Sequence, residues 1–198
     1  LYNRGVTLFA SAGNEGSNTS ITAPACLENV IAVGATWDTR VSSYSGFCTE
    51  PSPISGELTC FSNSNNEVDI VAPGAVITAS GLNNGISHYA GTSMATPLVA
   101  SCAALLKQAQ PSLTPLDLRN TLVENSGSRV TDSEGRNFPS LDCWQAYQSL
   151  EIDEQLSSPE IAINSPIENI QYQSGQAITF NAEANDIEDG DISHLILW

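Results

Sequence analysis

The stretch from Gly91 to Gln110 limits the fold most strongly. Ala, Leu and Val dominate it on every side, Pro97 stands near its start, and Pro111 stops it. About 20 residues of this kind read as one buried helix. Four short apolar runs precede it, at 5–12 (GVTLFASA), 29–35 (NVIAVGA), 67–74 (EVDIVAPG) and 75–80 (AVITAS). Runs this nearly continuous suit strands buried on both faces, as in a parallel sheet. A second helix is predicted over Thr114–Glu124, with Thr114 as its cap, Pro115 in the first turn and Asp117 three residues after the cap. A third covers about Ser140–Leu150. Strands followed by helices argue for an α/β layered domain.

Charge narrows the partners. The 198 residues carry 6 basic and 22 acidic side chains, a formal net charge of −16. Such a chain repels phosphate backbones, which argues against nucleic acid as a partner. No apolar run reaches the roughly 20 residues needed to span a membrane as a helix. Of the five cysteines, Cys48 and Cys60 bracket a polar insert and are candidate disulfide partners. Closing a loop of that size is worth about 3 kcal/mol by chain entropy. Cys102 reads either as a buried thiol or as the partner of Cys143, and Cys26 is left unassigned. The spacing of cysteines and histidines matches no zinc site, so no metal ligands are assigned.

Composition shifts at 151–160, EIDEQLSSPE, which reads as a linker. Residues 161–198 then show alternation (Ile178, Phe180, Ala182, Ala184) and turn signals at Ser174-Gly175 and Asp189-Gly190. They read as the opening strands of a β-sandwich. The carboxylates between Asp186 and Asp191 read as a solvated turn, with structural calcium as the rival reading; they do not match the EF-hand pattern.

The chemistry gathers at Gly91-Thr92-Ser93-Met94-Ala95-Thr96-Pro97. A serine at a helix N-terminus lies beside unpaired N–H groups and the positive end of the dipole, which can stabilise an oxyanion. Gly91 leaves room for a substrate backbone. An isolated serine in this position is more often only a cap. The full string GTSMATP, however, resembles the nucleophile motif of the subtilisin-like serine proteases, the subtilases. GVTLFASAGNEG resembles the family's strand and loop ending in an oxyanion-hole asparagine. ITAPACLENVIAVGAT, CFSNSNNEVDIVAPGAVITAS, LTPLDLRNTLVENS and FPSLDCWQAYQSL resemble, in order, the segments that follow. The resemblance covers about residues 1–150.

This resemblance implies a three-layer subtilisin-like domain and a secreted endopeptidase acting on protein or peptide substrates. Ser93 would be the nucleophile, with Asn14 and the Ser93 N–H holding the oxyanion and Thr92 assisting. Ala12, Gly13 and Asn14 would wall the primary specificity pocket, with Glu15 at its rim. No cofactor is required for that chemistry. Leu98 departs from the family, which usually has a histidine there. The family's triad Asp and His would lie upstream of Leu1. The only methionine is Met94, and the chain closes on an apolar run, Leu195–Trp198, that reads as a strand with no turn after it. Both ends are therefore expected to be cuts: the domain would lack its N-terminal half and the chain would be inactive alone. His88, five residues before Ser93, matches no catalytic position of the family and reads as a substrate-proximal loop residue; His194 lies in the other segment. The segment after the linker resembles the start of an immunoglobulin-like or PKD-like module. A degenerate protease serving as a surface binding or adhesion protein is the alternative from another class, and an α/β esterase is disfavoured by the absence of a GxSxG elbow.

Overall fold

The structure, a computed structural model, describes residues 1–150, 160–166, 171–186 and 190–195. The chain divides into two compact units, Leu1–Glu151 and Ile152–Trp198. The reading of 151–160 as a linker falls almost wholly outside the described residues.

The first unit begins with strands β1 (Leu8–Ser11), β2 (Val30–Trp37), β3 (Ser43–Ser45), β4 (Thr49–Pro51), β5 (Ile70–Ala75), β6 (Ile77–Ser80) and β7 (Ile86–Tyr89); the four apolar runs supply β1, β2, β5 and β6, and no run announced the other three. Helices α1 (Thr92–Ala109) and α2 (Pro115–Glu124) follow, then β8 (Ser128–Thr131), β9 (Asn137–Ser140) and α3 (Cys143–Gln148). The main sheet has the order β1-β2-β5-β9-β8; all neighbours are parallel except β8, which returns against β9. Alternate residues of β2 serve opposite faces, as the twofold period of a strand requires. Ile31, Val33, Ala35 and Trp37 pack with α1, while Ala32 packs on the other side with Val71, Val130 and Phe138.

Helix α1 corrects an expectation. It lies across the sheet on one face only, through Ala95, Val99, Cys102, Ala103 and Leu106. Leu98 and Leu105 on its other face are 37% and 58% exposed. The run 75–80 is a second correction. Its residues leave the sheet after Ala75 and form β6, which pairs antiparallel with β7 as a largely exposed hairpin. Small residues such as Ala79 and Ser80 read alike in buried and exposed strands. The third helix begins later than expected because Ser140 is taken up as the last residue of β9.

The ends of the elements follow from local chemistry. Thr114 Oγ1 accepts from the Asp117 N–H, and the Asp117 carboxylate accepts from the Thr114 N–H at 2.8 Å, a reciprocal cap. The Thr114 hydroxyl also donates to the Asp117 carboxylate, at 2.7 Å, and this bond, followed by that from the Thr114 N–H, holds the carboxyl below its ordinary pKa. Disulfides join Cys48 to Cys60 and Cys102 to Cys143. The first pins the β3–β4 excursion beside Trp37, whose ring meets Tyr44 and Phe61 edge-on at 5.0 and 6.2 Å. The second ties α3 to α1. Cys26 is exposed and free.

In the second unit, β10 (Glu160–Ser165), β11 (Asn181–Asp186) and β12 (Gly190–Asp191) form an antiparallel sheet. Ile178 and Phe180 precede β11, so the expected alternation starts later in the chain. Leu195 closes a 3₁₀ turn, Ser193–Leu195, where a strand was expected. Asp191 Oδ1 accepts from both the N–H and hydroxyl of Ser193 at 2.9 and 2.6 Å, which bends the chain there. Ile196–Trp198 lie outside the described residues, as do three of the six positions of the proposed calcium turn.

The one-sided packing of α1 makes a prediction. Leu106→Ala should destabilise the protein by about 2–5 kcal/mol. Leu105→Ala, one position along, should change stability by no more than about 0.5 kcal/mol. Urea unfolding of both variants checks this, and equal losses would contradict the described packing.

Candidate active site

Asn14 and Ser93 are 79 positions apart in sequence and come together where β1 ends and α1 begins. The β1 ladder continues one residue past the strand, with the Ala12 N–H donating to the Val33 carbonyl at 2.9 Å. The chain then turns at Gly13, whose φ of +108° suits a residue without Cβ. On the other side, the Gly91 N–H donates to the Gly74 carbonyl at 2.8 Å, which seats the start of α1 against β5. Gly91, at φ +150°, is the N-cap and offers no side chain to the helix.

The Asn14 side chain supplies what Gly91 lacks. Its Oδ1 accepts from the Thr92 N–H at 2.8 Å and from the Thr92 hydroxyl at 3.0 Å. The Thr92 Oγ1 in turn accepts from the Gly13 N–H at 3.2 Å. Because a backbone N–H can only donate, this contact fixes which end of the amide faces Thr92. Nδ2 is therefore the end of the amide that Thr92 leaves unused. Among the described residues, neither Asn14 Nδ2 nor the Ser93 N–H has a hydrogen-bond partner. Ser93 itself is exposed at the helix start. The site thus holds a hydroxyl and two uncommitted donors beside a helix N-terminus.

Thr92 is almost wholly buried, at 1% exposure. It holds Asn14 in place and has its own hydroxyl fully engaged. Ala12 and Gly13 are buried, and Glu15 is exposed, with its Oε2 accepting from Asn63 Nδ2 at 2.7 Å. His88 sits on the exposed strand β7, its Nδ1 engaged with the Thr78 hydroxyl at 2.8 Å.

Sequence reasoning missed Asn63. It is 2% exposed and lies under the 12–17 turn. The FSN segment containing it was recognisable, but nothing in the sequence gave the residue a role. The far side of the same turn is also braced. Arg136 donates to the Asn18 carbonyl at 2.6 Å and to the buried Asp132 carboxylate at 2.8 Å. Burial opposes the Asp132 charge. Hydrogen bonds from Arg136, then from Ser64 and the Glu134 N–H, outweigh it and hold that carboxyl below its ordinary pKa. No group of three or more His, Cys, Asp or Glu side chains among the described residues is placed to hold a metal ion.

The lock can be tested without assaying activity. Thr92→Val keeps the shape but leaves the buried Gly13 N–H without its acceptor, at a cost of about 1–3 kcal/mol. Thr92→Ser should restore most of the loss. Urea unfolding of the three proteins checks this, and a neutral Thr92→Val would contradict the hydrogen bonding described.

Residues 2–150 match the profile of the subtilase family, Peptidase_S8. The minor extracellular protease Epr of Bacillus subtilis (strain 168) is 36% identical over 137 residues, covering 69% of this chain and 19% of that protein. Alkaline serine exoprotease A of Vibrio alginolyticus is 28% identical over 195 residues, covering 94% of this chain and 32% of that protein. The chain therefore spans well under half the length of either relative. A crystal structure of a cold adapted subtilisin-like serine proteinase superposes with a TM-score of 0.59 at 31% identity, over 71% of this chain and 46% of that one. With a profile match that runs through the sheet, the Asn14 turn and the Ser93 helix alike, the chain belongs to the subtilase family.

Proposed function

We propose that this chain carries the nucleophile and oxyanion site of a secreted serine endopeptidase. The carrying observation is the Asn14–Thr92 lock, which leaves Asn14 Nδ2 and the Ser93 N–H free beside an exposed hydroxyl. Ser93 Oγ attacks the carbonyl carbon of a peptide bond, and its proton passes to a base. The resulting oxyanion is held by Asn14 Nδ2 and the Ser93 N–H. Collapse of the tetrahedral intermediate expels the amine, which takes up the proton, and leaves an acyl group on Ser93. Water then hydrolyses that ester. No cofactor takes part in these steps.

The base and its orienting carboxylate come, on this reading, from chain upstream of Leu1, and these 198 residues alone are inactive. Three observations support this. The relatives are much longer. The outward face of α1 is apolar and exposed at Leu98 and Leu105. Strand β1 stands at an edge of the sheet. Secretion is supported by the two disulfides and by the name of the Bacillus relative. Residues 161–198 are taken as the start of an immunoglobulin-like β-sandwich, on the support of the antiparallel strands β10–β12.

The test is active-site labelling. A fluorophosphonate probe should label the full-length protein and leave Ser93→Ala unlabelled; equal labelling of both would defeat the mechanism. Asn14→Ala should keep its fold and lose on the order of 10²–10³ in kcat, a magnitude carried over from subtilisin's own oxyanion asparagine. Absence of labelling in the folded full-length protein would favour a binding role for a degenerate protease domain.

A further inference from the structure

Asn63 uses every hydrogen of its side-chain amide on the turn that carries Asn14. Nδ2 donates to the Ala12 carbonyl at 2.9 Å and to Glu15 Oε2 at 2.7 Å. Oδ1 accepts from the Ser17 N–H at 2.8 Å, and the Asn63 N–H donates to the Gly13 carbonyl at 3.1 Å. The Ser17 contact fixes the amide's orientation, since a backbone N–H needs an oxygen opposite it. Nδ2 must then face the carboxylate. Asn63 is also buried and cannot swing away.

Glu15 is different. Its side chain is long and exposed, and in isolation it would sample many rotamers at little cost. The Asn63 bond removes that freedom. The space a side chain would take on Gly13 is filled by Asn63 Nδ2 and Glu15 Oε2, so the bonded pair lies against the Gly13 Cα. Any side chain at position 13 would have to break the pair apart.

We infer that Asn63 is a positioning residue for substrate selection: it fixes the Glu15 carboxylate against Gly13, so that the turn presents a stationary negative charge to the substrate residue preceding the scissile bond. This rests on the peptidase reading above and on Gly13 walling the pocket for that residue. A fixed carboxylate favours a lysine there and disfavours a glutamate, by attraction in one case and repulsion in the other. A carboxylate free to turn into solvent discriminates less. Asn63 touches no substrate in this account and acts only through Glu15.

The experiment uses the full-length protein and two peptide substrates that differ only in Lys or Glu before the scissile bond. The readout is the ratio of their kcat/KM values. Asn63→Ala should lower the Lys:Glu ratio about tenfold, within the range of coupling for residues in contact. In a Glu15→Gln background the same substitution should leave the ratio unchanged. Should Asn63→Ala fail to fold, Asn63→Ser keeps a short polar side chain and carries the same expectation. Two results overturn the inference: a folded variant with the wild-type ratio, or an equal fall in kcat/KM for both substrates, which is what a purely structural role would give. A wild-type protein that cleaves neither substrate contradicts the peptidase reading itself and takes this inference with it, so the two failures are told apart by the wild type alone.

Discussion

The proposed oxyanion site depends on one hydrogen-bonded contact, that of the Asn14 side-chain carbonyl with the N–H and hydroxyl of Thr92. It does two jobs at once. It caps a helix whose own N-cap residue, Gly91, has no side chain to offer. It also spends the accepting end of the amide, leaving the donating end free. An asparagine suits this better than an aspartate, whose carboxylate would cap as well but would leave no donor for an oxyanion.

The rest of the unit keeps the two halves of that contact in register. Strands β1, β2 and β5 run parallel with β2 in the middle, which brings the ends of β1 and β5 to the same edge of the sheet. Helix α1 starts against β5 through the Gly91–Gly74 bond and runs back across the sheet on Val99, Cys102 and Leu106. The turn after β1 is braced from beneath by Asn63 and from the side by the Asp132–Arg136 pair. A site built on strand and helix ends, with its loops tied down, is preorganised in the sense that electrostatic catalysis demands.

How much of this could be read from the sequence varied with the range of the interactions. Helix α2 was legible to the residue at its start, because Thr114 and Asp117 cap it locally. Strand β2 was legible because burial on both faces leaves an unbroken apolar run. The cover on α1 was not, since an all-round apolar stretch does not say which side the sheet takes. The β8–β9 hairpin was missed: only Val130, Phe138 and Pro139 are buried in it, and polar residues and a proline break up so short a signal. The hairpin β6–β7 misled because its small residues carry no strong preference for burial. At the site, Ser93 and Asn14 stood out through the motifs around them. Asn63 could not, because its side-chain partners lie 46 to 51 residues away and no local pattern records them.

The central claim is that Asn14 Nδ2 and the Ser93 N–H together receive the developing oxyanion. The most direct measurement is a crystal structure of the full-length protein inhibited by a peptidyl phosphonate. The account predicts a bond from Ser93 Oγ to phosphorus, with one phosphonyl oxygen about 2.7–3.1 Å from both donors and the Asn14–Thr92 contact intact. An adduct whose oxygen points away from Asn14, or an inhibitor bound to a residue other than Ser93, would contradict it.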